Sequence, residues 1–403
     1  MVDGRRCVAR QLDLEALTGR WYVVAIGKAA GAMTAGAIDR LGENLVRALV
    51  VTKPGHANFD ILAEPRVRVI ESAHPQPDAR SLEAGAAVVD FVGGTRRDAR
   101  VLWLISGGAS SLVESLAAGI TLSELQRVNA WLLGSGLDIV TVNAVRRRLS
   151  RLKGGGLAAL AGSRSGLALM ISDVPGDDPA VIGSGLLHAA DADTVAVPAL
   201  PAAIAAEIPA EIEEILRRCP GRSAALVGAA LPHRIVASNG QARAAARHRG
   251  RARGQVVRSG RGHFAGDAER LGRRFARRLA ASEVGSLWVW GGESTVRLPA
   301  HPGRGGRNQH LALAAALQMQ GVHGLTLLAA GTDGIDGGSD DAGAIVDDTT
   351  CLRGAELGLE ARKHLQGADS GRYLEQCGEL LHTGPTYTNV GDLVLGFRDT
   401  VPP

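Results

Sequence analysis

The chain of 403 residues is longer than a single hydrophobic core usually supports, so two domains are expected. Hydrophobic residues make up 45% of it and charged residues 21%, which excludes a disordered chain. With 45 basic against 41 acidic residues and only 3% aromatics, the chain lacks the one-sided charge and the stacking rings of a nucleic-acid-binding protein.

The first half of the chain alternates short β-branched runs with longer helical patterns, which is typical of a layered α/β protein. The predicted strands are Trp21–Ile26, Ala48–Val51, Val67–Ile70, Val101–Ile105 and Leu167–Ile171. The predicted helices are Ala29–Leu41, Ala79–Phe91, Thr121–Leu133 and Asp138–Leu152. Thr121 and Glu124 have the spacing of a capping box, which supports the start of the third helix.

An Ala- and Pro-rich segment at 192–232 predicts a spacer with one helix, and its end marks the predicted boundary between domains 1–232 and 233–403. The second domain has predicted strands at Arg234–Val236, Leu287–Trp290 and Leu325–Ala329. Its predicted helices are Gly240–Arg249, Gly266–Ala281 and Gln309–Gln318. The sequence therefore predicts a second α/β unit.

Glycine-rich polar loops follow the predicted strands, and ligands of parallel α/β sheets bind beyond the carboxyl ends of the strands. Gly27 and Lys28 follow the first strand, where a helix N-terminus and a positive charge suit an anion. The loop Ser106-Gly107-Gly108 forms a backbone nest suited to a carboxylate or phosphate. Because 41 of the 45 basic residues are arginine, each lysine is informative, and Lys153 also lies beside glycines.

Acidic and basic side chains follow the other strands. Asp173 lies in an acidic Pro-Gly turn that either holds Mg²⁺ through oxygen ligands or is turn chemistry alone. Glu293 follows a strand of the second half, and Arg307 opens a helix, where its planar fork suits a carboxylate or phosphate. Asp333 begins a loop in which carboxylates alternate with glycines. Together these loops predict a metal-dependent site for a phosphate-bearing small molecule between the domains.

Several other chemistries are disfavoured by spacing. The histidines form no zinc motif, and GxSxG is absent, which argues against zinc chemistry and serine hydrolysis. His56 and His74 are either substrate-facing donors or ordinary loop residues. The four cysteines are scattered, and no run of 18 apolar residues occurs, so we expect a cytoplasmic protein with no membrane or nucleic-acid partner.

Eleven segments in this order resemble the glycerate 2-kinase family, whose C-terminal part is the MOFRL domain. Among them are GKAAGAM (27–33), ISGGASSL (105–112), GRGGRNQHLALA (303–314) and HTGPTYTNVGDL (382–393). The resemblance implies two layered α/β/α (Rossmann-like) domains with an inter-domain active-site cleft. It implies ATP- and Mg²⁺-dependent phosphorylation of D-glycerate at the 2-hydroxyl, giving 2-phosphoglycerate and ADP, and it leaves formation of a homodimer open.

The resemblance also assigns roles to matching positions. Lys28 would neutralise charge on the transferring phosphoryl group, and Arg307 would bind a carboxylate or phosphate of the substrate. Asp173 and Glu293 would activate the hydroxyl or organise the metal, and Asp333 is a further metal ligand. Contacts with substrate or nucleotide, not divided between the two, are expected from Gly27, Ser106, Gly107, Gly108, Lys153 and Asn389.

The chain departs from the family pattern at several positions. Gly156 replaces an arginine, Leu186 replaces a proline, and Tyr387 replaces a glycine in a loop where its side chain would narrow the pocket. The family's helical segment before the first strand is expected to be missing here, unless the start codon is misassigned.

Two other functions stay open on the sequence. One is an NAD(P)H-dependent hydroxypyruvate reductase, although GKAAG at 27–31 is not the GxGxxG of a dinucleotide site. The other is a non-catalytic member of the family.

Overall fold

A computed structural model of the chain describes residues 2–15, 17–57, 59–96, 98–135, 137, 139–162, 164–188, 208–219 and 231–399. It contains two compact units, which we call the N-terminal unit (Asp3–Val236) and the C-terminal unit (Ala237–Pro403, with Met1–Val2). The predicted fold class is confirmed, because the chain forms two α/β units. Most of the predicted spacer, at 192–207 and 220–230, lies outside the described residues.

The N-terminal unit contains a sheet with the strand order β3-β2-β1-β4-β5-β6. Its strands are β1 (Trp21–Ile26), β2 (Leu45–Thr52), β3 (Val67–Glu71), β4 (Arg100–Ile105), β5 (Gly166–Ser172) and β6 (His233–Ser238). The pairs from β3 to β5 are parallel, and β1 is buried at every position because both faces of the sheet are covered. The strands predicted for the first half are confirmed, and the strand order reverses between β1 and β4. The strand predicted at Arg234–Val236 for the second domain is instead part of β6 in this sheet.

The helices of the N-terminal unit are α1 (Gly4–Leu12), α2 (Ala30–Leu41), α3 (Phe59–Leu62), α4 (Ala79–Gly93), α5 (Ala109–Leu112), α6 (Leu122–Gly134), α7 (Ile139–Arg148), α8 (Gly156–Ala161) and α9 (Ala210–Arg218). The capping box of Thr121 and Glu124 is present at the start of α6. The prediction that α7 reaches Leu152 is wrong. The chain leaves the helix at Arg148 because the next residues pair with another segment, and Arg151 N donates to Ser115 O.

Helix α1 lies in the short segment before β1, where the sequence analysis predicted no helix. Asp3 caps it by accepting a hydrogen bond from Arg6 N at 2.8 Å. Val8 and Leu12 are buried on one face, while the arginines between them make the segment polar on average. That polarity hides the helix from a search for apolar runs, although a single buried stripe is sufficient to hold it on α2.

The C-terminal unit contains a mixed sheet with the order β12-β11-β10-β13-β9-β7, in which β8 also pairs with β9. Its strands are β7 (Val256–Ser259), β8 (Phe264–Asp267), β9 (Ser286–Thr295), β10 (Leu325–Gly331), β11 (Gly343–Asp347), β12 (Leu380–Leu381) and β13 (Asp392–Arg398). Strands β7 and β8 are parallel to β9, whereas β13 is antiparallel to both β9 and β10. Strand β13 therefore begins at the edge of the sheet where β9 and β10 end.

Helices flank this second sheet. They are α10 (Asn239–Ala252), α11 (Ala268–Ala280), α12 (Arg307–Met319), α13 (Thr350–Glu356), α14 (Ala361–Gln366) and α15 (Ser370–Gln376). The core between α11, α12 and the sheet is rich in alanine and leucine, including Leu279, Leu311 and Leu327. Small side chains there allow the two helices to pack closely, and Gly272 of α11 meets the backbone of Leu311.

Candidate active site

The loops after β1 and β4 meet where the strand order of the N-terminal sheet reverses. Lys28 N donates to Gly107 O at 3.0 Å, and Ala29 N donates to Ser106 Oγ at 3.1 Å. A Cβ atom at Gly27, which has a φ of 135°, would lie 2.1 Å from Ser106 Oγ, so glycine is required there. The two loops therefore hold each other at the edge where ligands of such sheets bind.

Two histidines border this pair of loops. The Nδ1 atom of His56 lies 3.1 Å from Lys28 O, and the ring of His74 lies beside Gly108. The sequence left both between a substrate-facing role and a loop role. The structure places both next to the Lys28 loop, where α2 begins at Ala30 and directs its first N–H groups toward the same edge.

A hydroxyl network that the sequence analysis did not single out lies after β4. Ser110 Oγ is 2.8 Å from Ser184 Oγ, and Ser184 Oγ donates to Asn143 Oδ1 at 3.2 Å. These three residues lie inside segments that resemble the family, but hydroxyl and amide side chains are too common for spacing alone to mark them. The network connects α5, the short helix after the Ser106–Gly108 loop, to α7.

Asp173 and Lys153 are the remaining predicted residues of the N-terminal unit. Asp173 directly follows β5, the neighbour of β4, so it lies at the same edge as Lys28. Lys153 is 3% exposed, and its ammonium group pairs with the fully buried carboxylate of Glu114. The second oxygen of Glu114 accepts from Ser115 N at 2.9 Å. The ammonium of Lys153 is thus held inside the unit, and its contact with a ligand stays a prediction.

In the C-terminal unit, Arg307 is at the centre of a charge cluster. It is the first residue of α12, so the prediction that it opens a helix is confirmed. Its Nε and Nη2 atoms donate to the two carboxylate oxygens of Asp392 at 2.8 and 3.0 Å, and Nη1 donates to Glu293. A bidentate, charge-assisted pair fixes the plane of the guanidinium. Since the group has five N–H bonds, one on Nη1 and one on Nη2 remain for an anion.

Two buried carboxylates of this cluster were not predicted as site residues. Burial raises the pKa of Asp392, and the adjacent Arg307 opposes that rise. Asp336 accepts hydrogen bonds from Asn308 N at 3.0 Å and Gln309 N at 2.8 Å, so it caps α12. Burial raises the pKa of Asp336 to about 7 against those N–H groups. Asp336 therefore caps the start of α12, and Asp392 orients the side chain of Arg307, the first residue of that helix.

The turn after β10 is bound to the loop that precedes β13. The N and Oγ1 atoms of Thr332 donate to Gly391 O at 3.0 and 2.6 Å. Asn389 Oδ1 accepts from Gly391 N at 3.3 Å, and Asp333 Oδ1 accepts from Ile335 N at 3.3 Å. The predicted residues Asp333 and Asn389 therefore lie at the same edge of the sheet as Arg307.

The structure accommodates the three departures from the family pattern. Gly156 opens α8, and Leu186 is buried in the core of the N-terminal unit. Tyr387 has a φ of 55°, in the left-handed region, where a residue other than glycine costs on the order of 1–2 kcal/mol. The chain thus keeps a conformation suited to glycine while carrying a large side chain.

The donor set restricts how a metal ion can be held. Within the described part of the chain, no three histidine, cysteine or carboxylate side chains converge to form a metal site. Mg²⁺ is commonly held by one or two carboxylates together with water and substrate phosphates. Asp173 in one unit and Asp333 in the other fit that mode as single ligands.

The predicted site residues form two groups, one in each unit. At the edge of the N-terminal sheet lie Gly27, Lys28, Ser106, Gly107, Gly108 and Asp173. At the edge of the C-terminal sheet lie Glu293, Arg307, Asp333 and Asn389. The inter-domain cleft stays a prediction.

Comparison with known proteins identifies the family. Residues 1–217 match the model described as a domain of unknown function (DUF4147), and residues 286–392 match the MOFRL family. The D-glycerate 2-kinase of Thermotoga maritima is 33% identical, over 94% of this chain and 90% of its own length. This chain belongs to the glycerate 2-kinase family.

The family assignment extends to the fold. A crystal structure of glycerate kinase from Thermotoga maritima is 31% identical, with a TM-score of 0.83 over 98% of this chain and 95% of that one. The relatives that are named kinases are phosphotransferases. Another relative, from Agrobacterium vitis, is named "Putative hydroxypyruvate reductase". It is 37% identical over 93% of this chain and 98% of its own length. No helix in the described ranges is long and apolar enough to cross a membrane.

Proposed function

We propose that this chain is an ATP- and Mg²⁺-dependent kinase that phosphorylates D-glycerate at the 2-hydroxyl, giving 2-phosphoglycerate and ADP. The observation that carries the proposal is the position of Lys28, beside the Ser106–Gly108 loop and the start of α2, at the reversal point of a parallel sheet. Phosphoryl transfer depends mainly on positioning and on neutralising charge. Lys28 supplies a positive charge at the place where an anion would bind.

In the C-terminal unit, Arg307 has the geometry of an anion-binding residue. Asp392 holds its guanidinium by two hydrogen bonds, and the two remaining N–H bonds are available to the carboxylate of glycerate or to a phosphate. Asp392 is therefore a positioning residue, which acts through Arg307. Glu293 contacts the same guanidinium, and its side chain is half exposed, as a group that accepts a proton from substrate needs to be.

ATP supplies the phosphoryl group, and Mg²⁺ neutralises phosphate charge. Asp173 or Asp333 would hold the ion together with phosphate oxygens. Asp173 and Glu293 are the two candidates for accepting the proton of the 2-hydroxyl.

The name of the Agrobacterium vitis relative favours a second candidate, a nicotinamide-dependent reductase. A dinucleotide site of this sheet type needs GxGxxG after β1 and an acidic residue about 20 positions further on for the ribose. Here the first turn contains Lys28, and β2 ends at Thr52 and is followed by Lys53. A lysine cannot accept hydrogen bonds from ribose hydroxyls, so the kinase fits these loops better.

The test is ADP formation by the purified chain with D-glycerate, ATP and Mg²⁺, with the product identified by phosphorus NMR. NADH and hydroxypyruvate are supplied in a parallel reaction. We expect Lys28→Ala to lower turnover by about 100-fold or more, as loss of one charge-stabilising group commonly does. Lys363→Ala removes an exposed lysine of α14 and is the matched control.

The outcomes separate the alternatives. Turnover of Lys28→Ala near that of the control would contradict the role of Lys28. A product phosphorylated at the 3-position would retain the kinase and change its regiochemistry. Oxidation of NADH without ADP formation would favour the reductase. If neither ADP formation nor NADH oxidation is observed, a non-catalytic protein is favoured.

A further inference from the structure

The hydroxyl network that begins at Ser110 lies at the same edge of the N-terminal sheet as Lys28. Ser110 belongs to α5, which begins directly after the Ser106–Gly108 loop at the end of β4. A Cβ atom at Gly108 would lie 3.4 Å from Cγ of Lys28, and the Cα atoms of residues 108 and 110 are at most about 8 Å apart. Ser110 is therefore a near neighbour of the positive charge on which the proposed function rests.

The network has a fixed direction, because each hydroxyl group has only one proton to donate. Ser184 Oγ donates its proton to Asn143 Oδ1 at 3.2 Å, so this proton is not available to Ser110. The 2.8 Å hydrogen bond between the two serine oxygens must then use the proton of Ser110. Ser184 and Asn143 are each 3% exposed, whereas Ser110 is partly exposed. The buried end of the network therefore determines the orientation of the hydroxyl group at its exposed end.

With its proton directed toward Ser184, the oxygen of Ser110 offers a ligand lone pairs and no donor. Apart from Ser184, no group in the described part of the chain bonds to this oxygen. Phosphate and carboxylate oxygens are acceptors, so Ser110 cannot bind them in this arrangement, whereas a hydroxyl group of a ligand can donate to it. The same edge of the sheet thus offers a positive charge to an anion and an acceptor to a neutral hydroxyl group.

The turn that carries Ser184 has a backbone conformation that favours glycine. Gly183, Ser184 and Gly185 have φ values of 58°, 58° and 69°, all in the left-handed region. Glycine adopts this region freely, whereas a residue with a Cβ atom is strained there. Such strain is found where a side chain takes part in binding or catalysis. The hydroxyl group of Ser184 is the middle member of the network, which gives the strained position a role.

We propose that Ser110 is a specificity-determining residue that accepts a hydrogen bond from a non-reacting hydroxyl group of a bound substrate. Ser184 and Asn143 are positioning residues, which act by holding the proton of Ser110 away from that substrate. The inference rests on the proposed kinase function and adds recognition of a neutral hydroxyl group to recognition of the anionic groups. The hydroxyl group that donates is the 3-hydroxyl of D-glycerate or a ribose hydroxyl of ATP.

Steady-state kinetics of the full chain, with substrates that lack one hydroxyl group, test the inference. D-lactate is D-glycerate without the 3-hydroxyl, and 2′-deoxy-ATP and 3′-deoxy-ATP each lack one ribose hydroxyl. Each analogue is compared with its parent substrate in the wild type and in Ser110→Ala. The matched control is Ser165→Ala, which removes an exposed serine hydroxyl just before β5, at the opposite end of that strand from Asp173.

We expect Ser110→Ala to lower kcat/KM for D-glycerate or for ATP by about 3- to 10-fold, which is the effect of one neutral hydrogen bond, and we expect no change in the control. With the analogue that lacks the recognised hydroxyl group, the wild type and Ser110→Ala should have the same kcat/KM, because neither can form the hydrogen bond. The inference is overturned if Ser110→Ala loses the same factor with every analogue as with its parent, or if it keeps the wild-type kcat/KM for both D-glycerate and ATP.

Ser184→Gly tests the positioning role separately, and glycine suits the left-handed turn, so the variant is expected to fold. Without Ser184, the proton of Ser110 is no longer directed into the unit. The preference for the parent substrate over the analogue identified with Ser110→Ala should therefore fall by about twofold or more. This preference is a ratio of two kcat/KM values of one protein, so a loss of folded material does not change it. A wild-type preference in Ser184→Gly would overturn the positioning role.

Failure of this inference is distinguishable from failure of the kinase function. If the wild type forms ADP from D-glycerate and ATP but no analogue reveals a role for Ser110, the kinase stands and the inference fails. If the wild type forms no ADP, the kinase function fails, and calorimetric binding of the same substrates and analogues to the wild type and Ser110→Ala takes the place of kcat/KM. The same comparison of ratios then decides the inference, and absence of binding by all of them overturns it.

Discussion

The buried pair of Lys153 and Glu114 allows a sharp test of whether Lys153 is a structural residue or a ligand-binding one. The ammonium is 3% exposed and the carboxylate 0% exposed, so neither charge has water to solvate it if its partner is removed. Breaking such a pair from one side costs about 3–5 kcal/mol, because an uncompensated charge stays in the interior. We therefore expect Lys153→Met to lower the free energy of unfolding by about that amount.

The double variant Lys153→Met/Glu114→Gln removes both charges and should recover much of the loss. In a unit of this size, each kcal/mol corresponds to about 2–4 °C in melting temperature. Lys153→Met should therefore melt roughly 6–20 °C below the wild type, and the double variant should melt well above the single one. Urea unfolding of the four proteins of the cycle gives the coupling energy directly.

One result would refute this reasoning. If Lys153→Met melts with the wild type but raises the KM for ATP or D-glycerate, then Lys153 binds a ligand, as the family resemblance implies, and the ion pair with Glu114 is not what keeps it in place.

Three further predictions concern the C-terminal cluster and α1. Asp392→Asn leaves one acceptor for the two N–H groups of Arg307, so kcat/KM should fall about 10-fold or more with little change in fold, and an unchanged value would contradict the positioning role. The pKa of Asp336 is raised to about 7 when folded, so its contribution to stability is complete below its ordinary pKa near 4 and is lost as pH rises through 7. Urea unfolding between pH 5 and 8 should show this decline in the wild type and not in Asp336→Asn. If the free energy of unfolding of the two proteins changes with pH in the same way, the titration of Asp336 does not cause the decline. A Cβ at Gly36 would lie 2.2 Å from Arg5 O, so Gly36→Ala should cost about 1–3 kcal/mol, and unaltered thermal melting would show that α1 does not need this contact.

The α/β class, most strands of the first sheet and the loops that carry Lys28 and Ser106 were predictable from the sequence. Buried parallel strands are continuous apolar runs, and glycine-rich loops follow them, so the pattern is local and strong. Helix α1 was missed because its buried stripe alternates with arginines. The end of α7 was misplaced because a pairing with residues far away in the chain decides it.

The position of the motifs is a local property that the sequence by itself determined. The sequence marked Arg307, Glu293 and Asp333 as candidates because glycines and charges at strand ends are visible in a linear chain, whereas Asn389 was implied only by the family resemblance.

Only the tertiary structure decided which of these side chains meet. Asp392 binds Arg307 across 85 positions, and Glu114 neutralises Lys153 across 39. The strength of such pairs depends on distance and burial, and both arise only when strands distant in the sequence are brought side by side. For the same reason, an arginine or a lysine in a motif shows that a charge is present, whereas the fold determines whether that charge is available to a ligand or is held by a buried carboxylate.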